Sequence, residues 1–365
     1  MIYDKTIYAG AIALLRELIS TPSFSKEEDQ TAGIICRYFA LQRVEHTRTG
    51  NNVFAYNKFF DPAKPSILLN SHHDTVKPAK GYTMDPFSPI EKDGKIFGLG
   101  SNDAGGPLVS LLATFMHFHE MQDLNYNLVI AATAEEEISG ANGIEAVLKN
   151  PYFLAPFNGK EISCAIVGEP TQMQMAVAER GLMVIDAVAL GRAGHAARNE
   201  GENAIYTAMK DIAWIHGFSF EKTSALLGPT KMTVTVIETE NKAHNVVPAQ
   251  CRFVIDTRVN EHYTFEEILE VMRKHMQSEL TPRSTRLRST SISMDHPLVQ
   301  SGIALGRTCY GSPTTSDKAL MHFPALKMGP GDSARSHTAD EYIFAHEIEE
   351  GIGLYIELLN RLMHG

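Results

Sequence analysis

Three short apolar runs, Ile67-Leu68-Leu69, Leu128-Val129-Ile130-Ala131 and Ala165-Ile166-Val167, constrain the fold of this chain more than any other feature. Short runs that are apolar throughout are buried strands, and here they are separated by helical stretches such as Leu108 to His119. That order predicts an α/β domain with a mainly parallel central sheet. Before it, apolar residues at helical spacing over Ala11 to Leu18 predict a helix that stops near Thr21-Pro22. Past His296-Pro297 the same texture returns, with a strand near Leu326-Lys327-Met328 and a long final helix from about Ala345, apolar at Ile348, Ile352, Tyr355, Leu359 and Leu362.

Between these stretches the periodicity changes. Leu182 to Leu190 reads as a strand, Asn203 to His216 as a helix, and both Met232 to Val236 and Arg252 to Val259 alternate as half-buried strands do. Thr264-Phe265-Glu266-Glu267 has the spacing of a capping box and opens a helix through Ile268, Leu269 and Met272, with Leu287 to Ile292 as the last strand. The order βαββαβ predicts a ferredoxin-like α+β insert. At 365 residues the chain exceeds the roughly 250 to 300 at which a single core stops growing. A discontinuous catalytic domain over 1–180 and 294–365, interrupted by a smaller unit over 181–293, is therefore expected.

Lys and Arg number 33 against 43 Asp and Glu, a net charge of -10, which argues against nucleic acid or an anionic membrane as partner, since both reward a basic face. A small-molecule substrate is expected instead. Cys36, Cys164, Cys251 and Cys309 lie far apart, with no CxxC pair, so neither a thiolate zinc site nor a disulfide framework is indicated and a reducing compartment fits. The amphipathic start, MIYDKTIYAGAIALLRELIS, lacks the pattern of a signal peptide, and no apolar run approaches the length of about eighteen residues that spans a bilayer. A cytoplasmic protein is expected.

Acids and histidines recur just past the predicted strands. His72-His73-Asp74 follows Ile67 to Leu69, Asp103 follows Phe97-Gly98-Leu99, Glu135-Glu136-Glu137 follows Leu128 to Ala132, Glu169 follows Ala165 to Val167, and His337 follows Leu326 to Met328. In an open α/β sheet that edge is where ligands bind. A lone histidine is usually a hydrogen-bonded core residue, and an acidic triplet is usually a solvated face or a first helical turn, which suits Glu135. Five such placements together outweigh those readings. Imidazole with carboxylate suits zinc or cobalt, and there are ligands enough for two ions bridged by a carboxylate. The HxD spacing favours His72 over His73 as a ligand, with Asp74 fixing its tautomer. Of Glu136 and Glu137, one would bind metal while its neighbour acts as base.

The segments SHHDTVKP, GLGSNDAGG, TAEEEISG, VGEPT, GRAGHAA, NVVPAQCRFVIDTR and SHTADEY, in that order between residues 71 and 342, resemble motifs of the acetylornithine deacetylase, succinyl-diaminopimelate desuccinylase and aminoacylase family of two-zinc peptidases. The resemblance implies a zinc-peptidase catalytic domain interrupted by a lid and dimerisation domain. It makes His72, Asp103 and Glu169 ligands of one zinc and Asp103, Glu137 and His337 ligands of the other, with cobalt able to substitute. Glu136 becomes the general base and Asp74 the residue orienting His72. Arg258 becomes a clamp for the substrate carboxylate, and Asn245 and His195 lid residues, the histidine reaching a partner subunit's site in a homodimer. Arg180 and Thr315 match substrate-contacting positions. Ser71 stands where the family has glycine, Glu135 where it has Asp, and Asp103-Ala104-Gly105-Gly106 is one residue shorter than the family's D-x-K-G-G.

The activity that the resemblance implies is hydrolysis of the amide of an N-acyl amino acid, with an N-acetylornithine-like substrate of arginine biosynthesis as the leading case. N-acetylcitrulline, an N-succinyl amino acid such as succinyl-diaminopimelate, and di- or tripeptides are the alternatives. Family peptidases tend to carry Asp where Glu169 stands, which argues against peptides. A non-catalytic binding protein that had kept the fold would have lost a ligand or the base, and all are present.

Overall fold

The computed structural model of the chain describes residues 5–198 and 200–363. They divide into two compact units, one comprising Met1–Val177, Ile292–Tyr310 and Ser316–Gly365, the other Ala178–Ser291 and Gly311–Thr315.

The first unit is built on a mixed sheet of the α/β kind. In spatial order its strands run His46–Thr49, Asn52–Tyr56, Asn127–Thr133, Ser66–His72, Cys164–Val167, Ala325–Lys327 and Met175–Glu179. Ser66–His72 pairs in parallel with both Asn127–Thr133 and Cys164–Val167, which in turn pairs in parallel with Ala325–Lys327. Every residue of Ser66–His72, Asn127–Thr133 and Cys164–Val167 is buried, as strands covered on both faces must be. Much of that cover comes from the helix Gly106–His119, which packs on Lys5–Ile19 and Ala345–Met363. Its Pro107 stands in the first turn, where no N–H is needed, and Ser110 and Thr114 return their hydroxyls to carbonyls four residues back. The final helix buries Ile348, Ile352, Tyr355 and Leu359, and the Tyr355 hydroxyl donates to Met328 O beyond the strand Ala325–Lys327.

The second unit follows the βαββαβ order: Gly181–Leu190, Ala204–Gly217, Lys231–Thr239, Gln250–Val259, Phe265–His275 and Glu279–Pro282. Met183, Ile185, Ala187 and Ala189 alternate inward on the first strand and join Phe253, Ile255, Ile268 and Met272 in a second core. At about 1.5 to 3 kcal/mol for each large apolar side chain, this cluster gives the insert stability of its own. The capping box is formed, Thr264 Oγ1 accepting from Glu267 N and Glu267 Oε2 from Thr264 N, worth about 1 kcal/mol. One strand lies elsewhere than expected. The sheet closes on Glu279–Pro282 against Gly181–Leu190, while the segment 287–292 contributes only Thr290–Ser291, paired with Glu179 and Ala178. The segment 311–315 also groups with this unit, beyond the boundary at 293 read from periodicity.

Candidate metal and catalytic centre

His72 is the last residue of the strand Ser66–His72, and loops leaving the carboxyl ends of the other parallel strands carry the Glu135–Glu137 triplet, Glu169 and His337. Asp103 arrives differently. The strand before it, Lys95–Phe97, pairs with Ile90–Lys92 and Tyr342–Phe344 in a separate three-stranded sheet, so Asp103 is delivered by the turn Ser101–Gly105 that opens the helix Gly106–His119. Glycine at 105 has a steric reason: a Cβ there would collide with Gly100 O, the carbonyl that accepts from Gly105 N at 2.9 Å.

These elements bring the predicted ligands together. His72 Nε2 lies 3.3 Å from Asp103 Oδ1 and 3.8 Å from Glu169 Oε1. His337 Nε2 lies 3.0 Å from Glu137 Oε2 and 3.7 Å from Asp103 Oδ2, so Asp103 faces both imidazoles. Glu136 Oε2 stands 3.9 Å from His72 Nε2. Donor atoms of His72, Asp103 and Glu137, and separately of His72, Glu136 and Glu169, fall within 4.8 Å of one another. The arrangement thus offers Glu136 either as a ligand or as a free carboxylate beside one.

The two neighbouring histidines are sorted by their contacts. His72 Nδ1 is 3.0 Å from Asp74 O and 3.3 Å from Asp74 Oδ1, so this nitrogen carries a proton, and Nε2 is the nitrogen turned toward the acids. His73 has Nδ1 at 2.9 Å from Thr31 Oγ1 and Nε2 at 2.8 Å from Asn51 O, leaving neither nitrogen for a cation. Asp74 does more than orient His72. Its Oδ1 accepts from Glu136 N at 3.0 Å, and its Oδ2 from Glu137 N at 3.2 Å and Ser25 Oγ at 2.7 Å, so one carboxylate sets both the histidine and the acidic pair.

Glu135 is neither a solvated charge nor a first helical turn. It is buried in a left-handed conformation, φ 56°, accepts from Asn142 Nδ2 at 2.9 Å, and donates its N–H to Glu28 Oε1 at 3.2 Å. Glu28, fully buried, also accepts from Lys26 N and Asn51 Nδ2, both at 2.7 Å. Ser25, Glu28 and Glu341 were not singled out by sequence, because a carboxylate or hydroxyl bonded to a remote segment leaves no periodic trace. The SHTADEY motif, which contains Glu341, was the one available signal.

The electrostatics are those of crowded acids. Burial, then the nearby Glu169, holds the Glu136 carboxyl well above the usual carboxylate range. Burial alone would lower His72, but Glu136 and the bonds to Asp103 and Asp74 raise it well above an ordinary histidine. The bond to Glu137 lifts His337 to about 9 against its partial burial. Four carboxylates gathered in one pocket repel one another unless a cation or protons intervene, and a mixed imidazole and carboxylate set fits zinc or cobalt. The residues present therefore fit a resident metal pair.

In the second unit, Arg258 is held bidentately by Asp256, Nε to Oδ1 at 2.8 Å and Nη2 to Oδ2 at 3.1 Å. His195 and Asn245 are exposed on a short ribbon in which His195 pairs with Val246. Arg180 Nε donates to Leu227 O at 2.9 Å, and Thr315 Oγ1 to Arg180 O at 3.0 Å.

Comparison with known proteins bears on this centre. The sequence model of peptidase family M20/M25/M40 matches residues 68–361. Succinyl-diaminopimelate desuccinylase 2 of Ruegeria sp. (strain TM1040) is 25% identical, over 92% of this chain and 91% of its own length. Acetylornithine deacetylase of Edwardsiella ictaluri (strain 93-146) is 27% identical, over 91% of this chain and 92% of its own. Among solved structures, a tripeptidase of Staphylococcus aureus superposes with a TM-score of 0.77 at 19% identity, over 97% of this chain and 98% of its own. A match that spans the central strands and every acid and histidine of the centre, on a chain with the fold of these enzymes, makes this protein a member of peptidase family M20/M25/M40.

Proposed function

We propose that this chain removes the acyl group from an N-acyl amino acid by hydrolysing its amide bond, with an N-acetylornithine-like molecule as the leading substrate. The observation that carries the proposal is the convergence of His72, Asp103, Glu136, Glu137, Glu169 and His337 in one centre. His72, Asp103 and Glu169 would hold one divalent ion and Asp103, Glu137 and His337 the second. Bound there, a zinc or cobalt pair would acidify a water and polarise the acyl carbonyl.

The chain's own groups do the rest. Glu136, anchored through its N–H by Asp74, takes a proton at its carboxylate as the water oxygen bonds to the acyl carbon. It returns that proton to the amine nitrogen as the C–N bond breaks, so one water is consumed and a carboxylate and a free amino acid leave. Arg258, oriented by Asp256, would hold the α-carboxylate through its remaining donors, with Asn245 and His195 as the proposed donors to the acyl oxygen. Exposed Val236 and Ile237 on the strand Lys231–Thr239, with Tyr206 and Met209 on the helix Ala204–Gly217, support a homodimer through the second unit. Among the described residues no helix is long and apolar enough to cross a membrane, which is compatible with the cytoplasmic location proposed.

A second reading, hydrolysis of N-succinyl-diaminopimelate, is favoured by the relative of that name aligned over nine-tenths of both chains. A panel of N-acetylornithine, N-acetylcitrulline, N-succinyl-diaminopimelate and dipeptides with zinc or cobalt added tests the proposal. Faster turnover of the succinyl compound would exchange the two readings, and faster turnover of the peptides would overturn both.

A further inference from the structure

Glu341 is neither a proposed ligand nor the base, yet it is only 2% exposed and its carboxylate is bound to the Asp103 loop. Its Oε1 accepts from Asn102 N and from Asp103 N, each at 2.9 Å, and its Oε2 accepts from Gly100 N at 3.1 Å. Its own carbonyl accepts from Gly98 N at 2.9 Å. All three donors to the carboxylate are main-chain groups of the segment that delivers Asp103, and none can rotate away. The same segment is tied to the His337 loop by Asn102, whose Oδ1 accepts from Asp332 N and whose Nδ2 donates to Asp332 O, each at 3.0 Å.

We propose that Glu341 is a positioning residue that sets the backbone of Asp103 so that its carboxylate can bridge two metal ions. The proposal rests on Asp103 being the shared ligand. The chemistry demands an acceptor at both oxygens. A glutamine of the same shape keeps one oxygen and places an NH2 group against at least one fixed main-chain N–H, in either amide orientation, so a buried donor faces a donor. An aspartate keeps the charge but is shorter by about one C–C bond, roughly 1.5 Å, and cannot reach three donors 2.9 to 3.1 Å from the present oxygens. A misplaced bridge weakens both ions, because each depends on Asp103, whereas loss of a terminal ligand chiefly weakens one.

The test is metal affinity, read by competition with a chromophoric chelator on metal-stripped wild type, Glu341→Gln and Asp103→Ala, together with the visible spectrum of each cobalt-loaded protein. Expected are about two ions bound by wild type, loss of both in Asp103→Ala, and a 10- to 100-fold weakening of both in Glu341→Gln with an altered cobalt spectrum. Its kcat should fall while KM stays within about twofold, since Glu341 touches no substrate. Glu341→Gln with wild-type affinity and an unchanged cobalt spectrum would overturn the proposal while leaving the metal centre intact. Retention of both ions in Asp103→Ala would overturn the bridging reading, and the proposal with it. If Glu341→Gln does not fold, hydrogen exchange on wild type decides: slow exchange of the Asn102 and Asp103 amides, slowed further by cobalt, supports the role, and rapid exchange in both states overturns it.

Discussion

Replacing Glu136 with glutamine separates the two roles the geometry allows it. The substitution preserves shape, and the backbone anchor from Glu136 N to Asp74 Oδ1, 3.0 Å, is independent of the side chain. It puts a neutral amide where burial and Glu169 already press the Glu136 carboxyl toward its neutral, protonated form. Folding should therefore lose nothing, and Tm should hold or rise. What is lost is the proton acceptor, which typically contributes 10² to 10⁴ in rate, or about 2.7 to 5.4 kcal/mol of barrier. The assay is kcat at saturating metal, with metal content measured on the same sample. Full metal content with a fall of that order fits a base. Loss of one ion would refute the assignment in favour of the grouping His72, Glu136 and Glu169, with Glu137 as base. Activity within tenfold of wild type at full metal content would remove Glu136 from the chemistry.

Three other outcomes follow from the same geometry. Asp103→Ala should lose both ions together, whereas Glu137→Ala should mainly weaken the one shared with His337, a difference that metal analysis after dialysis resolves. The bond to Glu137 keeps His337 protonated up to about pH 9 in the metal-free protein, so a metal must displace that proton. Affinity for zinc should rise with pH toward that point, and a flat profile between about pH 6 and about 9 would show that binding displaces no histidine proton and would contradict His337 as a ligand. His195→Ala should lower kcat without changing metal content, and mixed dimers with Glu136→Gln should regain activity if the histidine serves a partner's site. Their complete inactivity would leave it acting within its own chain or not at all.

Much of the fold was legible because its signals are local. The buried runs around Leu68, Ile130 and Ile166 became the parallel core, and the capping box at Thr264 formed as spaced. The strand Glu279–Pro282 was missed because it pairs along Gly181–Leu190 and ends in proline, so its sequence, ELTP, carries neither an apolar run nor a clean alternation. Leu287 and Ile292 are buried, but they lead into a ribbon of two residues. At the centre, the HxD spacing pointed to His72, and the folded chain sets the Asp74 carboxylate behind that ring while His73 is held by Thr31 and Asn51. Apart from Asp74, the supports of the centre left no periodic trace in the sequence. Glu28 meets Glu135 across more than a hundred residues, and Glu341 meets Asp103 across 238, so only the folded chain shows that these acids hold backbone in place.

The central claim is that the gathered acids and histidines hold two metal ions for amide hydrolysis of N-acyl amino acids. Its most direct test is to strip the protein of metal and titrate it with zinc or cobalt, following release of free amine from N-acetylornithine and N-succinyl-diaminopimelate. The predicted result is no turnover in the stripped protein and a rise that levels off at about two bound equivalents per chain. Undiminished turnover without metal, or none on either substrate with both equivalents bound, would contradict it.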